Sequence, residues 1–185
     1  HILYGGYAAF FDETIFSLLY LFHGLNLATR VGPSAMLAHY LSAYGVGVSE
    51  APVFWLANYF QRKSLRIWEQ LKDPWGIAQV KSFIGLVTYY QADRERSLKV
   101  LKESAEGLAA VGDLWEGTVA LYHIGHNYIW MGQFAEAEKY LLQALQIAEK
   151  VSQVGVTSYT LSLLAWLYSL QGRLEEATQT AQRAM

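Results

Sequence analysis

The chain has 185 residues, 53% of them hydrophobic and 16% charged, with a net charge of −2, which is long enough to bury a sizeable core. That balance, with no basic run denser than Arg62-Lys63 in the first half, excludes a general nucleic-acid surface. Cysteine is absent, which rules out a disulfide framework or a thiolate metal site and fits a reducing, cytoplasmic setting.

Asp12 and Glu13 precede sixteen uncharged residues, Thr14 to Thr29. The run includes Ser17, His23, Gly24 and Asn26, so it reads as a buried helix rather than as a membrane span, which needs about 20 mostly apolar residues. Gly32-Pro33 ends that helix and opens the next, because proline is tolerated in a helix's first turn and not inside it. A helix over 34–47 is expected to close at Gly45-Val46-Gly47, with Ser49 capping another that runs to about Lys72. Asp73 caps the following helix with Pro74 at its first position, and that helix ends near Gln91. The helix capped by Asp93 turns Leu98, Leu101 and Leu108 inward and Lys99, Lys102 and Glu106 outward.

Residues 113–152 are the clearest stretch. Asp113 and Glu116 form a capping-box-like pair. Leu121, Ile124, Gly125 and Tyr128 then follow at the spacing of one helical stripe. After the turn Met131-Gly132-Gln133, a second helix carries Phe134, Ala137, Leu141 and Ala144 on one face. The final pair places Leu161, Leu164, Ala165 and Tyr168 on its packing stripe after Gly155, and its second helix starts at Leu174. The fold class is all-α with short connections.

A shift of 40 residues superposes the chain on itself. Gly5, Gly45, Gly85, Gly125 and Ala165 share one position. Ser17, Ala57, Ser97, Ala137 and Ala177 share a second, and Gly24, Ser64, Ser104, Ala144 and Ala184 a third. Small residues at fixed places permit close approach of crossing helices, and a fixed period of this size marks a solenoid. The copies run over 1–32, 33–72, 73–112, 113–152 and 153–185, a single repeat domain of about 4.5 antiparallel helix pairs. The segments Gly132-Gln133-Phe134-Ala135-Glu136-Ala137 and Gly172-Arg173-Leu174-Glu175-Glu176-Ala177 resemble the turn and second-helix start of the tetratricopeptide repeat family, and copy 121–144 is similar to its wider pattern. The period departs from the family's usual one of about 34, which implies longer helix pairs, and Glu149 stands where the family closes a helix with proline. HEAT and armadillo arrays, with periods of about 40 to 47, are the alternative.

The resemblance implies that first helices line a concave face. It would present Val119, Tyr122, His126, Ile129 and Trp130 from the fourth copy, and Tyr159, Ser162, Trp166, Ser169 and Leu170 from the fifth. The third would add Gln79, Ser82, Leu86, Tyr89 and Tyr90, and the second His39, Ser42, Val46 and Glu50. This groove is aromatic and nearly uncharged, suited to a protein partner. It lacks the Lys, Arg and Asn set with which the family grips a terminal carboxylate. Several of its rings, notably Trp130 and Trp166, have packing between neighbouring helices as their alternative role. The partner-binding residues selected are Tyr89, Tyr90, Tyr122, His126, Trp130, Tyr159 and Trp166.

No catalytic constellation stands out. His123 and His126 face one side of a helix, but a zinc site needs at least three protein ligands and none joins them nearby. Glu175-Glu176 and Asp12-Glu13 belong to first turns, where negative charge suits the helix dipole. No phosphate loop, nucleophile elbow or metalloprotease motif is present. The expectation is a non-enzymatic protein-interaction scaffold or sensory, oligomerising repeat domain, with no cofactor, no metal and no nucleic-acid partner. The chain begins at His1 and stops within its last helix, so it reads as a piece of something larger, such as the repeat tail of a bacterial NTPase, kinase or cyclase signalling protein. The sparse charge before Arg62 suggests that the first copies pack on another domain or chain. Two other readings are end-to-end assembly into a filament and sensing of an apolar small molecule.

Overall fold

The computed structural model describes residues 14–184, and every element among them is α-helical. The helices are α1 (Thr14–Val31), α2 (Ala35–Glu50), α3 (Phe54–Leu71), α4 (Pro74–Tyr90), α5 (Arg94–Ala110), α6 (Leu114–Trp130), α7 (Phe134–Lys150), α8 (Val154–Leu170) and α9 (Leu174–Ala184). They gather into two compact units, the first ending at Asp93 and the second beginning at Arg94. The expectations for Gly5 and for Asp12-Glu13 fall outside the described residues, as does the side chain of Ser17. No described helix is long and apolar enough to cross a membrane.

Helices α4 to α8 share one length, and the connections from Lys72 onward share one kind of turn. From α4 to α8 each has 17 residues, and three-residue connections set a beat of 20 residues, half the sequence period. One residue of each connection from α3 onward is left-handed: Lys72, Ala92, Gly112, Gly132, Ser152 and Gly172, with φ from 53° at Lys72 to 77° at Gly112. At the clearest turn, the Gly132 N–H donates to Ile129 O and the Gln133 N–H to Tyr128 O, both at 3.0 Å. This pair of bonds satisfies carbonyls that the helix end leaves orphaned, and it recurs at all six turns. The residue after the left-handed one then opens the next helix. Asp73 accepts from the Gly76 N–H (3.2 Å) with Pro74 in the first turn, and Asp113 accepts from the Glu116 N–H (3.0 Å).

The break expected at Gly45-Val46-Gly47 is not there. Helix α2 runs through to Glu50, and Ser49 lies inside it with its hydroxyl donating to Val46 O (2.6 Å) rather than capping a helix. The turn falls at Ala51-Pro52-Val53 instead. Gly45 has another role: a Cβ there would sit 2.8 Å from Gln61 Nε2 and 3.2 Å from Ala57 O. Gly125 is the same position in the fourth copy, where a Cβ would sit 2.6 Å from Leu141 Cγ and 3.3 Å from Ala137 O. The first two small-residue ladders are therefore the two sides of one helix crossing, α2 on α3 and α6 on α7. The third ladder is buried too, with Ser64, Ser104 and Ala144 at 0% exposure and the Ser64 hydroxyl donating to Ala38 O (2.6 Å).

First and second helices of a pair do different jobs. Helix α6 buries ten residues, from Glu116 to Ile129, whereas α7 buries five, Ala137, Leu141, Ala144, Leu145 and Ala148. A helix apolar on most sides must be enclosed, and an amphipathic one needs cover on one face only. In the second unit α6 meets α5, α7 and α8, and Leu101, Ile124, Leu141, Leu164 and Leu167 form its core. In the first unit α2 packs against α1, α3 and α4, around Leu41, Trp68 and Val80. Two buried polar groups join α2 to α4: His39 Nδ1 and Gln79 Nε2 lie 3.2 Å apart.

Three outcomes follow from this packing. Gly125→Ala should cost about 1–3 kcal/mol by overpacking against Leu141, and Leu141→Ala about 2–5 kcal/mol by opening a cavity. Urea denaturation of the double variant should fall short of their sum by at least about 1 kcal/mol, since the fifth copy holds Ala165 and Ala181 at these places; strict additivity would refute the contact. Ser152→Gly should stabilise the fold by about 0.5–1 kcal/mol by relieving a left-handed side chain, and a loss of stability would contradict that turn. Burial holds His39 down to about 4, with the Gln79 bond opposing it, and burial followed by His126 holds His123 down to about 3. Both stay neutral when folded while the unfolded chain takes up protons below pH 6.5. Stability should therefore be constant above neutrality and fall by up to about 1.4 kcal/mol per pH unit per histidine as pH drops from 6.5 toward 4. Urea midpoints for the chain and for His123→Leu would show the shallower decline expected of the variant, and equal declines would refute a neutral His123.

Candidate functional site

In the second unit, helices α6 and α8 set aromatic residues side by side. Tyr122, His126 and Trp130 recur every four residues on α6, so one face carries all three. Tyr159 and Trp166 are two turns apart on α8, again on one face. The Trp130 indole N–H donates to His126 Nε2 (3.1 Å), which places the imidazole proton on Nδ1. The Trp166 ring meets both edge-on, with centroids 5.9 Å from His126 and 5.5 Å from Trp130. Trp130 nonetheless stays 57% exposed, and Trp166 is half-buried. These rings pack between neighbouring helices and also form a surface.

The expectation of a nearly uncharged groove is corrected by Arg94. Its guanidinium lies 5.7 Å from the Trp130 ring centroid, a cation over an aromatic face. Burial first, and then the Arg94 charge, push His126 down to about 4, so the ring is neutral at pH 7 and remains an acceptor for Trp130. Tyr122 leans on the neighbouring His123 ring at 4.0 Å. His123 does not share the surface with His126: its Nδ1 is enclosed and has no hydrogen-bond partner. Among the described residues no three His, Asp or Glu side chains gather as metal ligands would. Tyr159 is 48% exposed at the start of α8.

Tyr89 and Tyr90 belong to the first unit, where their rings meet edge-on at 5.7 Å. Tyr90 is 42% exposed, and burial, then Glu50 and Tyr89, raise its phenol. The polar positions expected beside them are not presented. His39, Ser42, Gln79 and Ser82 are all buried, because α2 packs against α4; His39 pairs with Gln79 and the Ser42 hydroxyl donates to His39 O, while Gln79 Oε1 is left without a partner. A second group escaped the sequence reading. Lys102 Nζ donates to Tyr128 OH (2.7 Å) and lies over the Tyr128 and Tyr140 rings, which stack at 5.6 Å. Lys102 falls one residue after the inward Leu101, so periodicity assigns it to solvent.

Residues 117–185 match the tetratricopeptide repeat family. No curated protein matches the chain in sequence. Among solved structures, the chain is similar to BtubC (BKLC) from P. vanneervenii, with a TM-score of 0.76 at 15% identity over 89% of this chain and 69% of that one. It is similar to aspartyl phosphate phosphatase F from Bacillus subtilis, with a TM-score of 0.77 at 13% identity over 97% of this chain and 48% of that one. It also resembles a signal transduction ATPase with numerous domains and a tetratricopeptide repeat sensor from Pyrococcus horikoshii, with a TM-score of 0.71 at 19% identity over 91% of this chain. The chain spans 26% of that ATPase. At these identities the likeness is one of fold, an α-α helical solenoid. The match to the tetratricopeptide repeat family thus covers residues 117–185, and over the wider chain the likeness is to α-α helical repeat folds.

Proposed function

We propose that this chain is a scaffold that binds another protein, and that Trp130, Trp166 and His126 of the second unit form the contact, flanked by Arg94, Tyr122 and Tyr159. The observation that carries the reading is the state of Trp130: more than half exposed, yet held by the His126 acceptor, the Trp166 edge and the Arg94 cation. An exposed indole fixed in one orientation loses little entropy on binding. Tryptophan, tyrosine and arginine are also the residues that most often dominate interface energies. The family match over this unit supports a binding role rather than a reaction. The likeness to an ATPase whose repeats are described as a sensor supports the finer reading, a sensory segment of a larger signalling protein.

The test uses the chain as bait in cells, with quantitative comparison of captured proteins. Trp130→Ala should reduce capture of the specific partner about 30-fold or more, the equivalent of about 2 kcal/mol. Its circular dichroism and urea midpoint should stay near those of the parent, because Trp130 lies outside the core. Undiminished capture by a folded Trp130→Ala chain would overturn the assignment.

A further inference from the structure

A cleft of about 340 Å³ opens in the second unit between α5 and α7, with α6 as its floor. Its walls include Lys102, Ala105 and Glu106 on α5 and Tyr140 on α7, and Gly117 and Ile124 lie in the floor. The 40-residue register shows how it arises. Ala105 stands where the other copies have Leu25, Leu65, Leu145 and Met185, and Gly117 stands where they have Leu37, Ile77 and Thr157. Leu25, Leu37, Leu65 and Ile77 pack into the core of the first unit, and Leu145 is buried in the second. The cleft therefore lies where Ala105 of the third copy and Gly117 of the fourth omit side-chain volume that the other copies supply.

Packing does not require the omission. A Cβ at Gly117 would meet nothing closer than Leu108 Cβ at 3.7 Å, an ordinary contact, and glycine weakens a helix relative to alanine. Gly125, eight residues on, is by contrast compelled by Leu141. The charges at the rim are unequal in their freedom. Lys102 is committed to Tyr128 and to the two tyrosine rings. Glu106 is exposed and has no ion-pair partner among the described residues. An occupant complementary to this cleft is aliphatic below and basic at the rim.

We propose that the cleft receives two aliphatic side chains, one turn apart, from a helix of a partner protein that also sets a basic residue against Glu106. The proposal rests on the reading of the chain as a protein-binding scaffold, but it uses residues distinct from the aromatic cluster. A helix supplies such a pair on one face, and the chain's own leucines and isoleucines show that side chains of this size fill the equivalent places.

The probe is a fluorescent alanine-based helical peptide with two leucines one turn apart and an arginine on the same face, titrated against the full chain by anisotropy. Filling the cleft with Ala105→Leu and Gly117→Leu together should weaken binding at least about tenfold while raising the urea midpoint. Glu106→Lys should leave the fold intact and reverse the preference toward a peptide carrying glutamate in place of arginine. Trp130→Ala should bind the peptide as the parent does, which separates this surface from the aromatic one. Equal binding by the filled variant, or by a peptide with serines for leucines, would overturn the proposal. So would cleft-dependent binding of the dye anilinonaphthalene sulfonate with no binding of the peptide, which would make the cleft a small-molecule site. Should the filled variant fail to fold, the Glu106→Lys reversal decides the matter alone.

Discussion

Each helix pair depends on one close crossing. At Gly125 and Ala137, as at Gly45 and Ala57, the two helices approach until a single Cβ would collide with a backbone carbonyl or a core side chain. That approach lets Leu141 reach full burial from the opposite helix. It also explains why the small residues repeat as pairs: each member is small because the other is near. Dispersion between atoms falls off steeply with separation, so widening the crossing by one methyl group would loosen contacts along both helices. The sequence shows this compensation directly, since the copy with Ala165 in place of glycine also has Ala181 in place of leucine.

The turns turn this crossing into a period. A left-handed residue and two returning hydrogen bonds end one helix, and the next residue starts the following one. No slack is left between helices, so the length of the helix sets the repeat. Seventeen-residue helices give a copy longer than the family's usual one of about 34. Longer helices extend the crossing by further core layers, which accounts for ten buried residues on α6. They also place Trp130 at the far end of its helix, beyond the core, where it can be exposed and still be held by His126 one turn back.

Much of this was legible because glycine has two separable meanings that the period sorts out. Gly112, Gly132 and Gly172 sit on the 20-residue beat and mark turns, while Gly45 and Gly125 sit off that beat, Gly125 seven residues before the turn at Gly132, and mark crossings. Misreading Gly45-Val46-Gly47 as a turn confused the two, although the period already assigned Gly45 to the crossing. The pairing of His39 with Gln79 carried a similar signal, for the two residues are one period apart and so occupy one position in successive copies. Arg94 and Lys102 were not legible in the same way. Both act through rings on other helices, and hydrophobic periodicity says only that a charged residue faces away from its own core.

The fourth copy departs from the others at both of its surfaces. Toward α8 it carries the His126–Trp130 pair, and between α5 and α7 it carries Gly117 opposite Ala105. A repeat protein can vary one copy at modest cost, because its stability is distributed among neighbouring interfaces rather than concentrated in a single core. The variation must then avoid the crossing and the turns, and here it does. Gly125, Ala137, Gly132 and the Asp113 cap keep their structural roles, while the residues that depart from the repeat lie between those fixed points. Positions that geometry leaves free, and that still depart from the repeat, are where selection for binding has room to act.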